Sequence, residues 1–141
     1  MSEPSHRFAI RVYYEDTDAA GMVYHSNYLK FAERARTEWL RDLGVQQDAW
    51  RKDTGLGFAV TRCEIDYRRP ARLDDVLDVA TRILEIGGAS LVAEQVIRRE
   101  TDEVARLKLV VACIDGSGRP ARLPKNLRTA MAAATAVGVN D

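Results

Sequence analysis

The chain has 141 residues, 46% of them hydrophobic, and its 21 basic and 21 acidic residues give a formal net charge of zero. That length suits one domain with its own core, and neutrality leaves no chain-wide field to draw the protein to nucleic acid or an anionic membrane. No apolar run approaches the ~20 residues of a membrane helix.

The opening M-S-E-P-S-H-R lacks an apolar stretch, so no secretory leader is expected. Phe8, Ile10, Val12 and Tyr14 then alternate with more polar neighbours, the period-two pattern of a strand over 8–14. Residues 15–25 break that pattern around Gly21 and predict a loop. Ser26 or Asn27 suits a helix cap, since either side chain accepts from free amides of a first turn. Tyr28, Phe31, Ala32, Ala35, Trp39 and Leu43 follow at spacings of three and four, and Gly44 is a natural stop. Glu33, Arg34, Arg36, Glu38 and Arg41 fall mostly on the opposite, solvent face, with Arg34 and Glu38 spaced to pair.

Residues 45–57 suggest a short helix or irregular segment. Four strand patterns succeed it: Phe58–Arg68, Val76–Ile86, Leu91–Arg99 and Val104–Ile114. Gly87-Gly88 marks a hairpin between the second and third of them. In the first, Phe58 and Val60 stand out of phase with Thr61, Cys63, Ile65 and Tyr67. Short connections imply antiparallel neighbours, and one long helix against such a sheet is an α+β layer. One helix covers one face only, so the apolar positions of the other face predict a partner subunit. The alanine-rich tail from Pro124 is compatible with a helix. The expectation is a single domain over 1–141, with 1–6 and about 130–141 peripheral or disordered.

Three acids, Glu15, Asp16 and Asp18, crowd the helix entrance. A calcium loop from Asp16 fails, because Ala20 and Asn27 stand where ligands are required. With His6 and His25 the only histidines, no metal site is expected. Cys63 and Cys113 lie in apolar strand patterns without a CxxC or disulfide framework, which fits a reducing cytoplasm. No G-x-S-x-G elbow supports serine chemistry. A carboxylate before a helix start complements the helix dipole. It also stands beside free amides that can polarise a carbonyl, and that pairing is what acyl transfer requires. Asp18, just before the Gly21 turn, is the best placed of the three. Arg62, Arg68, Arg69 and Arg72 form a local basic cluster, either a solvated strand end or a landing place for phosphates.

The block E-D-T-D-A-A-G-M-V-Y-H-S-N-Y-L-K-F-A-E-R-A-R-T-E-W-L-R, with Y-R-R-P-A-R-L-D-D and L-P-K downstream, resembles the YbgC-like acyl-CoA thioesterases of the 4-hydroxybenzoyl-CoA thioesterase family. The likeness runs in order over roughly residues 7–125. It implies a hotdog fold, an antiparallel five-stranded sheet wrapped around one long central helix. It implies a homodimer or a homotetramer built as a dimer of dimers, with the active site at the dimer interface. It also implies acyl-CoA as substrate, acyl carrier protein as a possible partner, and no cofactor beyond the CoA of the substrate. By the same resemblance Asp18 is the nucleophile or general base. The backbone amide near His25 polarises the thioester carbonyl, and Tyr24, Asn27, Gly21 and Met22 shape the substrate site. Arg68, Arg69 and Arg72 suit the phosphates of CoA. Ala20 and Met22 depart from the usual residues there, which bears on the acyl pocket rather than on the reaction. Two other readings stay open: a non-catalytic acyl-thioester or acyl-carrier-protein binding module, and a hotdog hydratase or dehydratase.

Overall fold

The computed structural model describes residues 6–135. In chain order they form β1 (His6–Arg11), a 3-10 turn (Tyr14–Asp16), α1 (Asn27–Asp42), α2 (Gln47–Thr54), β2 (Gly57–Tyr67), β3 (Val76–Ile86), β4 (Ser90–Arg99), β5 (Asp102–Ile114) and α3 (Lys125–Thr135). The five strands make one antiparallel sheet in the order β1-β3-β4-β5-β2. α1 lies across β1 and β3, and α3 packs on β3.

Period two decides which side of the sheet is buried. Leu77, Val79 and Ile83 of β3, Leu91, Ala93 and Ile97 of β4, and Leu107, Leu109, Val111 and Cys113 of β5 belong to one core. α1 adds Tyr28, Phe31, Ala32, Ala35, Trp39 and Leu40. The small residues Ala32 and Ala35 let the sheet approach so closely that Gln95 of β4 donates through Nε2 to the Ala32 carbonyl at 2.9 Å. α1 ends in a Schellman turn: Val45 N–H bonds the Leu40 carbonyl and Gly44 N–H the Arg41 carbonyl, with Gly44 at φ +90°. Val45 and Leu40 are both buried, which supplies the apolar contact of that motif.

Several sequence expectations are corrected. β1 stops at Arg11, and Tyr14 belongs to the 3-10 turn and is largely exposed, so the alternation at its end was fortuitous. His6 opens β1 with Nε2 3.1 Å from Asp42 at the end of α1. Residues 130–135 lie within α3, where Met131 is fully buried; 1–5 and 136–141 lie outside the described residues. Ser26 precedes α1 in helical backbone geometry and makes no side-chain cap. Arg34 stacks its guanidinium over the Phe31 ring, while Glu38 pairs with Arg41. The phase change in the first of the four strand patterns is a β-bulge: Val60 opposes Val111 and Arg62 opposes Val110, leaving Thr61 unmatched.

The outer face of the sheet carries cross-strand ion pairs, Arg82 to Glu94 at 2.9 Å and Arg106 to Glu94 at 3.0 Å. Arg106 also forks onto Glu103, its Nη2 and Nε donating at 2.6 and 3.1 Å. That guanidinium outweighs burial and holds the Glu103 carboxyl below the usual range. A depressed folded-state value contributes stability above the titration range of the unfolded carboxylate, and that stability is lost as pH falls through the folded value. Urea unfolding at about pH 5 and about pH 3 is therefore expected to show a larger acid loss for wild type than for Glu103→Gln. Equal losses would remove this pair from the acid response.

Candidate active site

The entrance to α1 is built by local chemistry. Asp18 folds its own loop: its Oδ1 accepts from the Ala20 N–H at 2.8 Å and the Met22 N–H at 3.2 Å. Its backbone N–H bonds the Met22 carbonyl, and Gly21 N–H bonds the Asp18 carbonyl with Gly21 at φ +80°, a conformation that favours glycine. This is an Asx-type turn closed by the Thr17–Val23 bridge. The turn spends only Oδ1; among the described residues Oδ2 has no partner, and Asp18 is exposed.

Asp16 differs. It is only 7% exposed, its carboxylate accepts from the Tyr13 N–H at 2.8 Å, and its carbonyl accepts from Tyr24 N–H and the Asn27 amide. It ties the 3-10 turn to the helix entrance. At that entrance Tyr24 and His25 lie ring to ring, 4.4 Å between centroids. The Tyr67 hydroxyl donates to the His25 carbonyl at 2.9 Å. The His25 backbone N–H makes no hydrogen bond among the described residues. An unspent amide at a helix start is a donor available to a developing negative oxygen.

A cavity of about 430 Å³ joins these groups, lined by Asp18, Met22, Val23, Tyr24, His25, Tyr28, Tyr67, Arg68, Arg69 and Pro70. Six of the residues singled out from sequence therefore meet here: Asp18, His25, Tyr24, Met22, Arg68 and Arg69. Three do not line it. Asn27 turns inward to the Asp16 carbonyl at 2.7 Å, Gly21 serves the turn, and Arg72 stands on the neighbouring loop. That loop is fixed by Asp75, which accepts from the Arg72 N–H and the Arg99 guanidinium, each at 2.8 Å. Burial opposes ionisation of Asp75, but these donors prevail and hold its carboxyl below the usual range. Arg68 lies 3.4 Å from Glu103, and Arg69 donates to the Glu103 carbonyl. Both bases are thus positioned at the rim while remaining exposed.

Tyr28 and Tyr67 were missed as site walls. In sequence Tyr28 is one member of an apolar stripe. Its hydroxyl in fact accepts from the Ala71 N–H at 3.0 Å, and burial pushes its ionisation upward. Tyr67 reaches the helix entrance from the far end of β2, and a tyrosine ending a strand pattern carries no signal for that. Among the described residues no three histidine, cysteine, aspartate or glutamate side chains cluster as a metal would require. None of the described helices is long and apolar enough to cross a membrane.

A five-stranded antiparallel sheet laid over one long helix, with the cavity at that helix's entrance, defines an α+β hotdog domain. Residues 12–131 match the family model of the thioesterase-like superfamily, and the chain belongs to that superfamily. It is 44% identical over 131 residues to the acyl-CoA thioesterase YbgC of Haemophilus influenzae, covering 92% of this chain and 96% of that one. It is 40% identical over 129 residues to the acyl-CoA thioester hydrolase YbgC of Escherichia coli O157:H7, covering 90% and 96%. Among solved structures, a probable thioesterase from Bartonella henselae superposes with a TM-score of 0.80 at 40% identity, covering 84% of this chain and 98% of that one.

Proposed function

We propose that this protein is an acyl-CoA thioesterase, releasing a free acid and CoA, with Asp18 as the acid-bearing residue and the His25 amide as the oxyanion donor. The observation that carries the residue assignment is the pairing, on one cavity, of a carboxylate oxygen and an amide that both lack a partner among the described residues. The names of the YbgC relatives support the reaction class. The thioester carbonyl carbon is attacked either by water whose proton passes to Asp18, or by Asp18 itself to give an anhydride that water then opens. The carbonyl oxygen becomes an oxyanion at the His25 N–H, a contact worth about 3–4 kcal/mol in such sites. The C–S bond breaks, the electron pair leaves with sulfur, and the thiolate takes up a proton. Arg68 and Arg69 at the rim suit the phosphates of CoA. Met22 and Tyr24 bound the space beside the carbonyl. The chain's own groups suffice for each step, so no metal is assigned.

We place the protein in the cytoplasm as a homodimer or dimer of dimers. Apart from its bulge, the outer edge of β2 pairs with no strand among the described residues, and a second copy can cover it. Thiol release from short, long and aromatic acyl-CoAs, and from the same acyl groups on acyl carrier protein, tests the reading. Turnover on CoA thioesters is expected. Release only from the carrier protein reassigns the carrier, and binding without release supports the binding-module alternative.

A further inference from the structure

A second cavity, of about 420 Å³, lies between α1, the start of α2 and the sheet. Its apolar wall is Trp39, Leu40, Phe58, Val60, Leu91 and Val111, and its polar wall is Glu33, Arg36, Thr37 and Gln47. The volume falls within the range of small-molecule sites. Its polar side is built rather than incidental. Gln95, fully buried, donates through Nε2 to the Ala32 carbonyl at 2.9 Å and to the Thr81 hydroxyl at 3.0 Å. Those two acceptors fix its amide so that Oε1 faces Arg36 and accepts from its Nη1 at 3.0 Å. Arg36, expected from sequence on the solvent face of α1, is instead half-buried and anchored beneath the sheet.

Arg36 makes no other hydrogen bond and has no carboxylate within ion-pair distance among the described residues; Glu33 acts on it only from farther away. Burial pushes the guanidinium below its ordinary range, although it remains a cation. The indole N–H of Trp39, on the same cavity, is also buried without a partner among the described residues. A half-buried arginine with unspent donors, facing an apolar wall across the cavity and with the wall's one carboxylate, Glu33, exposed, is complementary to an organic acid with an apolar body and an anionic end.

This cavity and the Asp18 cavity stand at opposite ends of β2. At ~3.3 Å per residue the strand carries Tyr67 about 20 Å beyond Val60. A short acyl group bound to one copy does not span that distance. β2 is an edge strand, however. Two β2 edges paired antiparallel about a twofold axis place the Phe58–Val60 end of one copy against the Tyr67 end of the other.

We infer that the second cavity receives the distal end of the acyl group held at the partner's Asp18 cavity, and that Arg36 selects acyl groups ending in a carboxylate. This rests on the thioesterase reading above, and the test separates the two. Glutaryl-CoA and pentanoyl-CoA share a carbon count and differ at the far end. Wild type is expected to favour glutaryl-CoA in kcat/KM by at least ~tenfold. Arg36→Met is expected to abolish the preference while keeping turnover of pentanoyl-CoA, and Arg36→Lys to keep part of it. Equal or reversed preference in wild type, or an unchanged ratio in a folded Arg36→Met, overturns the inference and leaves the thioesterase standing.

If neither thioester releases thiol, the thioesterase reading fails. Calorimetric titration with glutarate and pentanoate then decides the site alone, with glutarate binding lost in Arg36→Met as support and no binding as refutation. The cross-subunit geometry is read from dimers co-expressed with one Asp18→Asn copy and one Arg36→Met copy. Shared sites restore one intact site with wild-type selectivity; sites within one copy leave only the selectivity of Arg36→Met.

Discussion

Asp18→Asn is expected to lower kcat for thiol release by about 10²–10⁴-fold with KM changed by no more than a few fold. The substitution isolates charge from structure. Oδ1 of Asp18 accepts from two amides in the turn, and an asparagine carbonyl oxygen can keep both bonds, so the thermal midpoint should hold. Only the partnerless Oδ2 is replaced by an amide that neither attacks nor takes a proton. Asp18→Ala removes both effects together and should also cost about 1 kcal/mol of stability. The neighbouring acid supplies the control: Asp16→Asn can still accept from Tyr13 N–H and should leave turnover within a few fold of wild type. Full activity in folded Asp18→Asn would falsify the assignment of this residue and leave the reaction class untouched.

Phe31→Ala is expected to cost about 3–5 kcal/mol, a large share of the roughly 5–15 kcal/mol that holds a domain folded. The ring is completely buried at the middle of the α1 stripe. It meets Tyr28 edge-on at 6.2 Å, and Arg34 covers it from outside at 5.9 Å. Truncation leaves a cavity that the surrounding strands cannot collapse without moving the sheet. The urea midpoint should fall with little change in slope, and the melting temperature should drop by about 10 °C or more. Phe31→Leu should recover most of the loss. Tyr28 also lines the Asp18 cavity, so Phe31→Ala is expected to impair turnover even at temperatures where the variant stays folded. A loss under about 1 kcal/mol would mean that the helix–sheet contact is looser than its burial indicates.

What was legible in the sequence was whatever depends on neighbours along the chain. β3 falls on the residues its alternation marks, because a strand buried on one face must repeat every second residue. The α1 stripe and its glycine stop follow from helical spacing and from the left-handed residue of a Schellman turn. The Asp18 turn closes within five residues, so its acid, glycine and amides sit together in the sequence too. What was hidden depends on register between distant segments. Tyr67, Arg68 and Arg69 reach the helix entrance only because β2 runs antiparallel to β5 at the sheet's edge. Arg36 looked like a solvent residue because helical spacing does not reveal that a glutamine of β4, Gln95, would fix it. Asn27 looked like a cap, yet its amide satisfies a carbonyl eleven residues upstream.

The contact between His6 and Asp42 has a practical consequence. α1 is sixteen residues long and runs from the reactive end to that contact, so at ~1.5 Å per residue the two ends lie ~24 Å apart. The first described strand therefore begins on the side of the molecule away from His25. An affinity handle, fluorophore or surface tether joined ahead of His6 enters the fold at that remote end, away from the Asp18–His25 entrance of its own copy, so a tether there should leave that entrance open to substrate.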